Sequence, residues 1–402
     1  MDVPPVAVTP AVDRALTLLR ERDAETLDTM VELAQIPAPP FGEAARAERV
    51  RDRFHALGLA DVVTDEEGNV LARLPSGNGT GLGAPVIVAA HLDTVFPAET
   101  DLTVRRDGRR LAGPGIVDNA RGLAALLTIA GVLCEAGVAT CRPVVFAATV
   151  GEEGTGDLRG VKHLFREGSP WRRASGFIAL DGTGTRRIVN SAVGSRRFRL
   201  TVRGSGGHSW ADWGRANPIH ALGLAVAEIA RYAPPRRPRT TLTVGRIEGG
   251  TSVNAIPSAA WLEVDLRSEG RRALANLEAR VLHAAEAAVA ETNARRRRGT
   301  PALGLEIALI GDRPSGETPA TAPIVEAACN ATRMIGETPE LVASSTDANV
   351  PISLGIPAIT IGAGGRSAGT HTTEEWYDNE TGPQGLERVL WTVLGVAGVE
   401  TG

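Results

Sequence analysis

Four short apolar runs, each ending abruptly in polar or glycine residues, constrain the fold of this chain more than any other feature. They are Val86–Ala90, Val144–Val150, Phe177–Leu180 and Ala358–Ile361. Runs this short and without alternation fit strands buried on both faces, as in a parallel sheet. Helical patterns lie between them, notably at Asn119–Glu135 and Gly160–Arg166. Two more, Ala11–Leu33 and Ala44–Leu57, precede the first run. This alternation predicts an α/β domain with a parallel-rich mixed sheet flanked by helices.

The pattern changes near Ser191. Arg197–Arg203 and Ala260–Arg267 alternate apolar with polar residues, as half-buried strands do. Helical stretches fall at 217–232 and 271–294. The expectation is a discontinuous first domain, residues 1–190 and 311–402, with a small α+β unit inserted at 191–310. The glycine-rich Ser76–Gly83 reads as a loop.

Charge and composition exclude several functions. The 402 residues carry 43 Lys+Arg against 47 Asp+Glu, a net charge of -4. That lacks the basic surplus a nucleic-acid partner demands. No apolar stretch approaches the roughly 18–20 residues of a membrane helix, so no membrane partner is expected. Met1–Pro10 shows no basic segment leading into an apolar one, and Cys134, Cys141 and Cys329 form no CxxC. Both point to a reducing, cytoplasmic setting. Lys162 is the sole lysine, and no GxxxxGK[ST] surrounds it. The arginine groups at 236–239 and 295–298 read as a solvated loop and a helix C-terminus.

The ends of the apolar runs carry the chemistry. The first runs into His91-Leu92-Asp93, the second into Gly151-Glu152-Glu153, and the third into Asp181. The fourth runs into Gly362–Gly365, with His371 soon after, and Asp118-Asn119 opens the helix between the first two. In open α/β sheets ligands bind beyond the carboxyl ends of the strands. His91, Asp118, Glu153, Asp181 and His371 therefore converge as candidate metal ligands. Histidine and carboxylate without cysteine suit zinc, cobalt or manganese.

The motifs HLDT at His91, GPGIVDN at Gly113, VGEEGTGD at Val150, LDG at Leu180, GSGGHS at Gly204, STDAN at Ser345 and GGRSAGTH ending at His371 follow one another along nearly the whole chain. In this order they resemble the M20 family of metallopeptidases. The resemblance implies a zinc exopeptidase-like catalytic domain with an inserted ferredoxin-like lid that also dimerises. It implies two divalent metal ions, zinc first. His91 and Asp181 would hold one, Glu153 and His371 the other, and Asp118 would bridge them. Asp93 would hydrogen-bond the far nitrogen of His91, and Glu152 would be the general base.

By the same resemblance, His208 would reach the active site of a partner subunit from the lid. Asn254, Arg267 and Gly364 would contact substrate, although an edge-strand salt bridge is an equal alternative for Arg267. The family has a cis peptide after its bridging aspartate, here followed by Asn119. Trp210 and Trp213, close after His208, either wall a substrate or pack a lid interface. His55, His163, His220 and His283 lie in helical patterns and read as surface or satisfied core residues. The expected activity is hydrolysis of an amide bond, as an exopeptidase on short peptides. IPAPPFGE and STDAN place the tripeptide-aminopeptidase branch nearest. A deacylase of N-acyl amino acids is the alternative, and an inactive binding protein on the same fold a remote one.

Overall fold

The computed structural model describes residues 7–75 and 83–401. The glycine-rich segment 76–82 and the first six residues lie outside that range. The chain divides into two compact units, residues 1–192 with 317–402, and residues 193–316.

In the first unit the apolar runs form the centre of a mixed sheet. Its order is Ala60–Thr64, Val70–Arg73, Val144–Thr149, Val86–His91, Gly176–Leu180, Ala358–Ile361 and Arg187–Ala192. Val86–His91 runs parallel to both its neighbours, and Ala358–Ile361 runs parallel to Gly176–Leu180. Alternate residues explain why the runs are apolar throughout. Val86, Val88 and Ala90 enter one core, and Ile87 and Ala89 enter the core on the opposite face. Helices cover both faces, so no position on these strands is left to water.

The Ala120–Glu135 helix is the most buried, with every residue from Ala120 to Leu127 inside. Asn119 caps it by accepting the Gly122 N–H at 3.0 Å. The stretch expected as one helix over Ala11–Leu33 is two, Pro10–Glu21 and Asp23–Ala34, broken at Arg22. Both halves pack on the Ala120–Glu135 helix, and Arg22 turns at the break to pair with Glu135. Among the described residues no helix is long and apolar enough to cross a membrane.

The second unit has the order strand, helix, two strands, helix, strand. Gly194–Arg203 and Ala259–Ser268 form the middle of an antiparallel sheet, with Thr240–Gly249 and Gly304–Arg313 at its edges. This is the ferredoxin-like arrangement. The last strand carries the unit past residue 310, where the sequence reading ends it, to Gly316. Phe198, Leu200, Leu262, Val264 and Leu266 face the Pro218–Arg231 and Arg271–Ala294 helices. The opposite face is laced with charge. There Arg199 pairs with Glu263, and Arg199 and Arg246 stack on Trp261 at 4.2 and 5.0 Å.

Candidate metal centre

Because the central strands are parallel, their carboxyl ends share one edge of the sheet. His91 is the last residue of its strand, and Asp181 directly follows Gly176–Leu180. Asp118 stands two residues before the Ala120–Glu135 helix, and the Asp118–Asn119 peptide is cis. Asn119 also donates from Nδ2 to the Leu180 carbonyl at 2.9 Å, tying the segment that carries Asp118 to the one that carries Asp181.

The carboxylate of Asp118 divides the centre in two. Its Oδ1 lies 3.0 Å from His91 Nε2, which is 4.0 Å from Asp181 Oδ1. Its Oδ2 lies 3.0 Å from His371 Nε2, which is 2.9 Å from Glu153 Oε1. His91, Asp118 and Glu153 offer donor atoms all within 4.8 Å of one another. His91 Nε2 and Asp118 Oδ1 are both buried, and despite their approach they form no hydrogen bond. On the far side of the ring, Nδ1 faces the backbone carbonyl of Asp93 at 3.0 Å, which fixes the hydrogen there. Nε2 is thereby turned toward the carboxylates as a lone-pair donor. Orphaned nitrogen and oxygen donors converging on one point fit a divalent cation.

The electrostatics agree with that fit. Hydrogen bonds to Asp118 and Glu153 push the His371 imidazole up to about 10. Burial works against charge on His91, yet Asp118 and Asp93 raise it well above the ordinary histidine value. Burial likewise opposes ionisation of Asp118, but His371 and His91 hold it well below the usual carboxylate range. Burial, then the charge of Asp118, pushes Asp181 up to about 7. The surplus of carboxylate favours positive charge at this point, the setting that suits divalent cations.

Asp93 holds more than the imidazole of His91. Its carboxylate stands 3.6 Å from His91 Nδ1, farther than its own backbone carbonyl. It also accepts the N–H of Glu152 at 2.9 Å and of Glu153 at 2.7 Å. One buried carboxylate therefore fixes the turn that presents both residues. Glu152 is itself only 5% exposed.

Two supports carry no sequence signal of the kind that marked the candidate ligands. Glu375 is fully buried and accepts N–H bonds from Val117 at 2.7 Å, Asp118 at 3.0 Å and Gly115 at 3.1 Å. It holds the GPGIVD loop in place. Its only cue is a carboxylate four residues past His371, before the apolar Trp376-Tyr377. Arg46 is also fully buried, and donates to the carbonyls of Ile36 and Leu92.

Packing and backbone conformation both demand glycine at position 364. It is buried, with φ +83°, and a Cβ there would stand 2.5 Å from the Thr381 carbonyl and 2.7 Å from Gly385 Cα. In the second unit, His208 pairs in register with Ala255, beside Asn254. Its Nδ1 accepts the N–H of Trp210 at 3.2 Å, so its hydrogen sits on the exposed Nε2. Arg267 lies on an interior strand, not an edge, and its Nε donates to Asp265 at 2.6 Å. Eight residues of strand separate Ala259 from Arg267, about 26 Å at the usual rise, so within one chain Arg267 does not join the His208–Asn254 pair. Lys162 is bound to Asp157 at 2.6 Å. His163 is largely buried, 3.8 Å from Asp65.

A parallel-rich sheet that gathers imidazoles and carboxylates around one shared aspartate, with no thiolate, is the framework of a metallohydrolase. The profile of peptidase family M20/M25/M40 matches residues 87–393, and the chain belongs to that family. It is 29% identical over 250 residues to the succinyl-diaminopimelate desuccinylase of Corynebacterium glutamicum, covering 60% of this chain and 66% of that protein, just under two thirds of its length. The aminopeptidase PepT of Bacillus cereus superposes with a TM-score of 0.74 at 25% identity, over 93% of this chain and 98% of PepT. A tripeptidase of Staphylococcus aureus shares the fold, with a TM-score of 0.76 at 22% identity over 93% and 98% of the two chains.

Proposed function

We propose that this protein is a two-metal exopeptidase that removes residues from short peptides. The observation that carries the reading is the Asp118 carboxylate, which turns one oxygen toward His91 and the other toward His371. Two divalent cations, zinc or else cobalt or manganese, held by His91 and Asp181, by Glu153 and His371, and by Asp118 between them, would supply Lewis acidity and make water a nucleophile near neutral pH. Glu152 takes the proton of the water that attacks the amide carbonyl. It then returns that proton to the leaving nitrogen, which departs as an amine. Asp93 keeps Glu152 and Glu153 in step, since both hang from its carboxylate.

His208, donating from Nε2, serves the oxyanion at the centre of a second copy, in a homodimer joined through the inserted unit. Its exposure, and that of Trp210 and Trp213 (87% and 77%), supports a role outside its own unit. The three free cysteines support a cytoplasmic location.

Deacylation of N-acyl amino acids is the second reading, favoured by the likeness to the desuccinylase. Against it, the guanidinium expected to hold a substrate carboxylate, that of Arg267, is engaged by Asp265. Mass spectrometry of one mixed library separates the two. Free-amine peptides and N-acyl amino acids are incubated with metal-loaded protein and with a chelated control. Chelator-sensitive loss of N-terminal residues supports the exopeptidase, whereas cleavage confined to N-acyl members overturns it in favour of the deacylase.

A further inference from the structure

Phe41 stands where a turn ordinarily takes glycine. The Gly42 N–H donates to the Pro39 carbonyl at 2.7 Å, closing a turn with Pro40 and Phe41 at its centre. Phe41 has φ +70°, the left-handed conformation required at the third position of such a type II turn. A bulky aromatic is a poor occupant of that conformation. Its ring gains little from the fold in return, because the residue is 69% exposed. One partner holds it from below, the Arg159 guanidinium, 4.9 Å from the ring centroid.

That partner places the ring beside the metal centre. Arg159 is clamped by Glu43 and Glu67, each at 2.7 Å. Its stem lies on Gly151, where an added Cβ would stand 2.5 Å from Arg159 Cγ. Gly151 directly precedes Glu152. The turn holding Glu67 lies at the carboxyl edge of the sheet, because Val70 pairs antiparallel with Ala148. From the other side, Ala38 accepts the Thr94 N–H at 2.8 Å, next to Asp93. The Phe41 turn is thus anchored to both loops that build the centre.

We infer that Phe41, backed by Arg159, is a specificity residue: its ring is the wall against which an apolar side chain flanking the scissile amide packs. This rests on the proposed hydrolase function and names its substrate class, short peptides with a large apolar residue at the cleavage site.

The test uses the metal-loaded full chain and two peptide series, one varying the residue before the scissile bond and one the residue after it, each with Phe, Leu and Gly members. Phe41→Gly suits the turn and should not lower Tm. It should reduce the ratio of kcat/KM for the Phe member over the Gly member about tenfold in one series, the scale of a lost apolar contact. Phe41→Tyr should restore the ratio. A variant that slows all members equally, or leaves both ratios within twofold of wild type, overturns the wall. If the wild-type protein cleaves no member of either series, the exopeptidase reading itself fails and takes this one with it.

Discussion

Replacing Glu375 by glutamine asks whether one buried carboxylate holds the loop that presents Asp118. The wild-type side chain accepts two N–H groups on Oε1, from Val117 and Asp118, and one on Oε2, from Gly115 at 3.1 Å. Glutamine keeps one carbonyl oxygen, which serves the first two. Its NH2 then meets the Gly115 N–H donor to donor. A buried donor left unsatisfied costs about 1–3 kcal/mol. Above about pH 7, the value to which burial pushes the Glu375 carboxyl up, the two remaining bonds also lose their charge assistance, roughly half their strength. Together these predict a loss of about 2–4 kcal/mol for Glu375→Gln, and somewhat more for Glu375→Ala, which strips all three donors. Urea unfolding of the metal-free protein measures it. Because the same loop positions Asp118, zinc affinity should fall about 10–100-fold, the usual effect of losing a group that orients a ligand. Loss of less than about 0.5 kcal/mol for both variants would refute the three-bond clamp, since no relaxation of a fully buried loop hides three orphaned donors.

Other outcomes follow from the same geometry. Glu152→Gln should cut kcat by at least about 100-fold while metal content measured by mass spectrometry stays at the wild-type level, and near-normal turnover would remove Glu152 from the role of base. His208→Ala should lower kcat with little loss of metal. Heterodimers that combine it with Glu152→Gln should recover part of the activity, and correctly assembled heterodimers without recovery would exclude a shared site. In the inserted unit, burial raises Asp265, but Arg267, Arg197 and Ser195 together hold it below the ordinary aspartate range. Its contribution to stability is therefore complete above the unfolded value near 3.9 and drains away as pH falls through the lower folded value. Asp265→Asn should flatten that acid limb in a circular-dichroism titration, and superimposable curves would disprove the coupling.

The candidate ligands at strand ends, His91 and Asp181, were legible in the sequence because a strand buried on both faces must be apolar throughout. The first polar residue after Ala90, Leu180 or Val150 then marks the sheet edge almost by definition. The inserted α+β unit was legible in the alternation of Arg197–Arg203 and Ala260–Arg267. What escaped was whatever depends on a carboxylate or guanidinium finding backbone groups far away in the chain. Glu375 reaches Val117, Asp93 reaches the amides of Glu152 and Glu153, and Arg267 is captured by Asp265. None of these follows from spacing. The break at Arg22 escaped because neither glycine nor proline marks it; packing on a neighbouring helix does.

The discontinuity of the first unit bears on how the protein is made. His371 and Glu375, and the strand Ala358–Ile361 that lies between Gly176–Leu180 and Arg187–Ala192, are all translated after the inserted unit. A nascent chain can complete the ferredoxin-like unit early, since its contacts close within residues 193–316. The sheet, by contrast, must keep a gap open until its late strand arrives. Over that interval one half of the metal centre lacks its histidine, and Asp118 hangs on a loop without its clamp. On the proposed reading, a chain cut short before this strand lacks His371 and, with it, half of the centre on which hydrolysis depends.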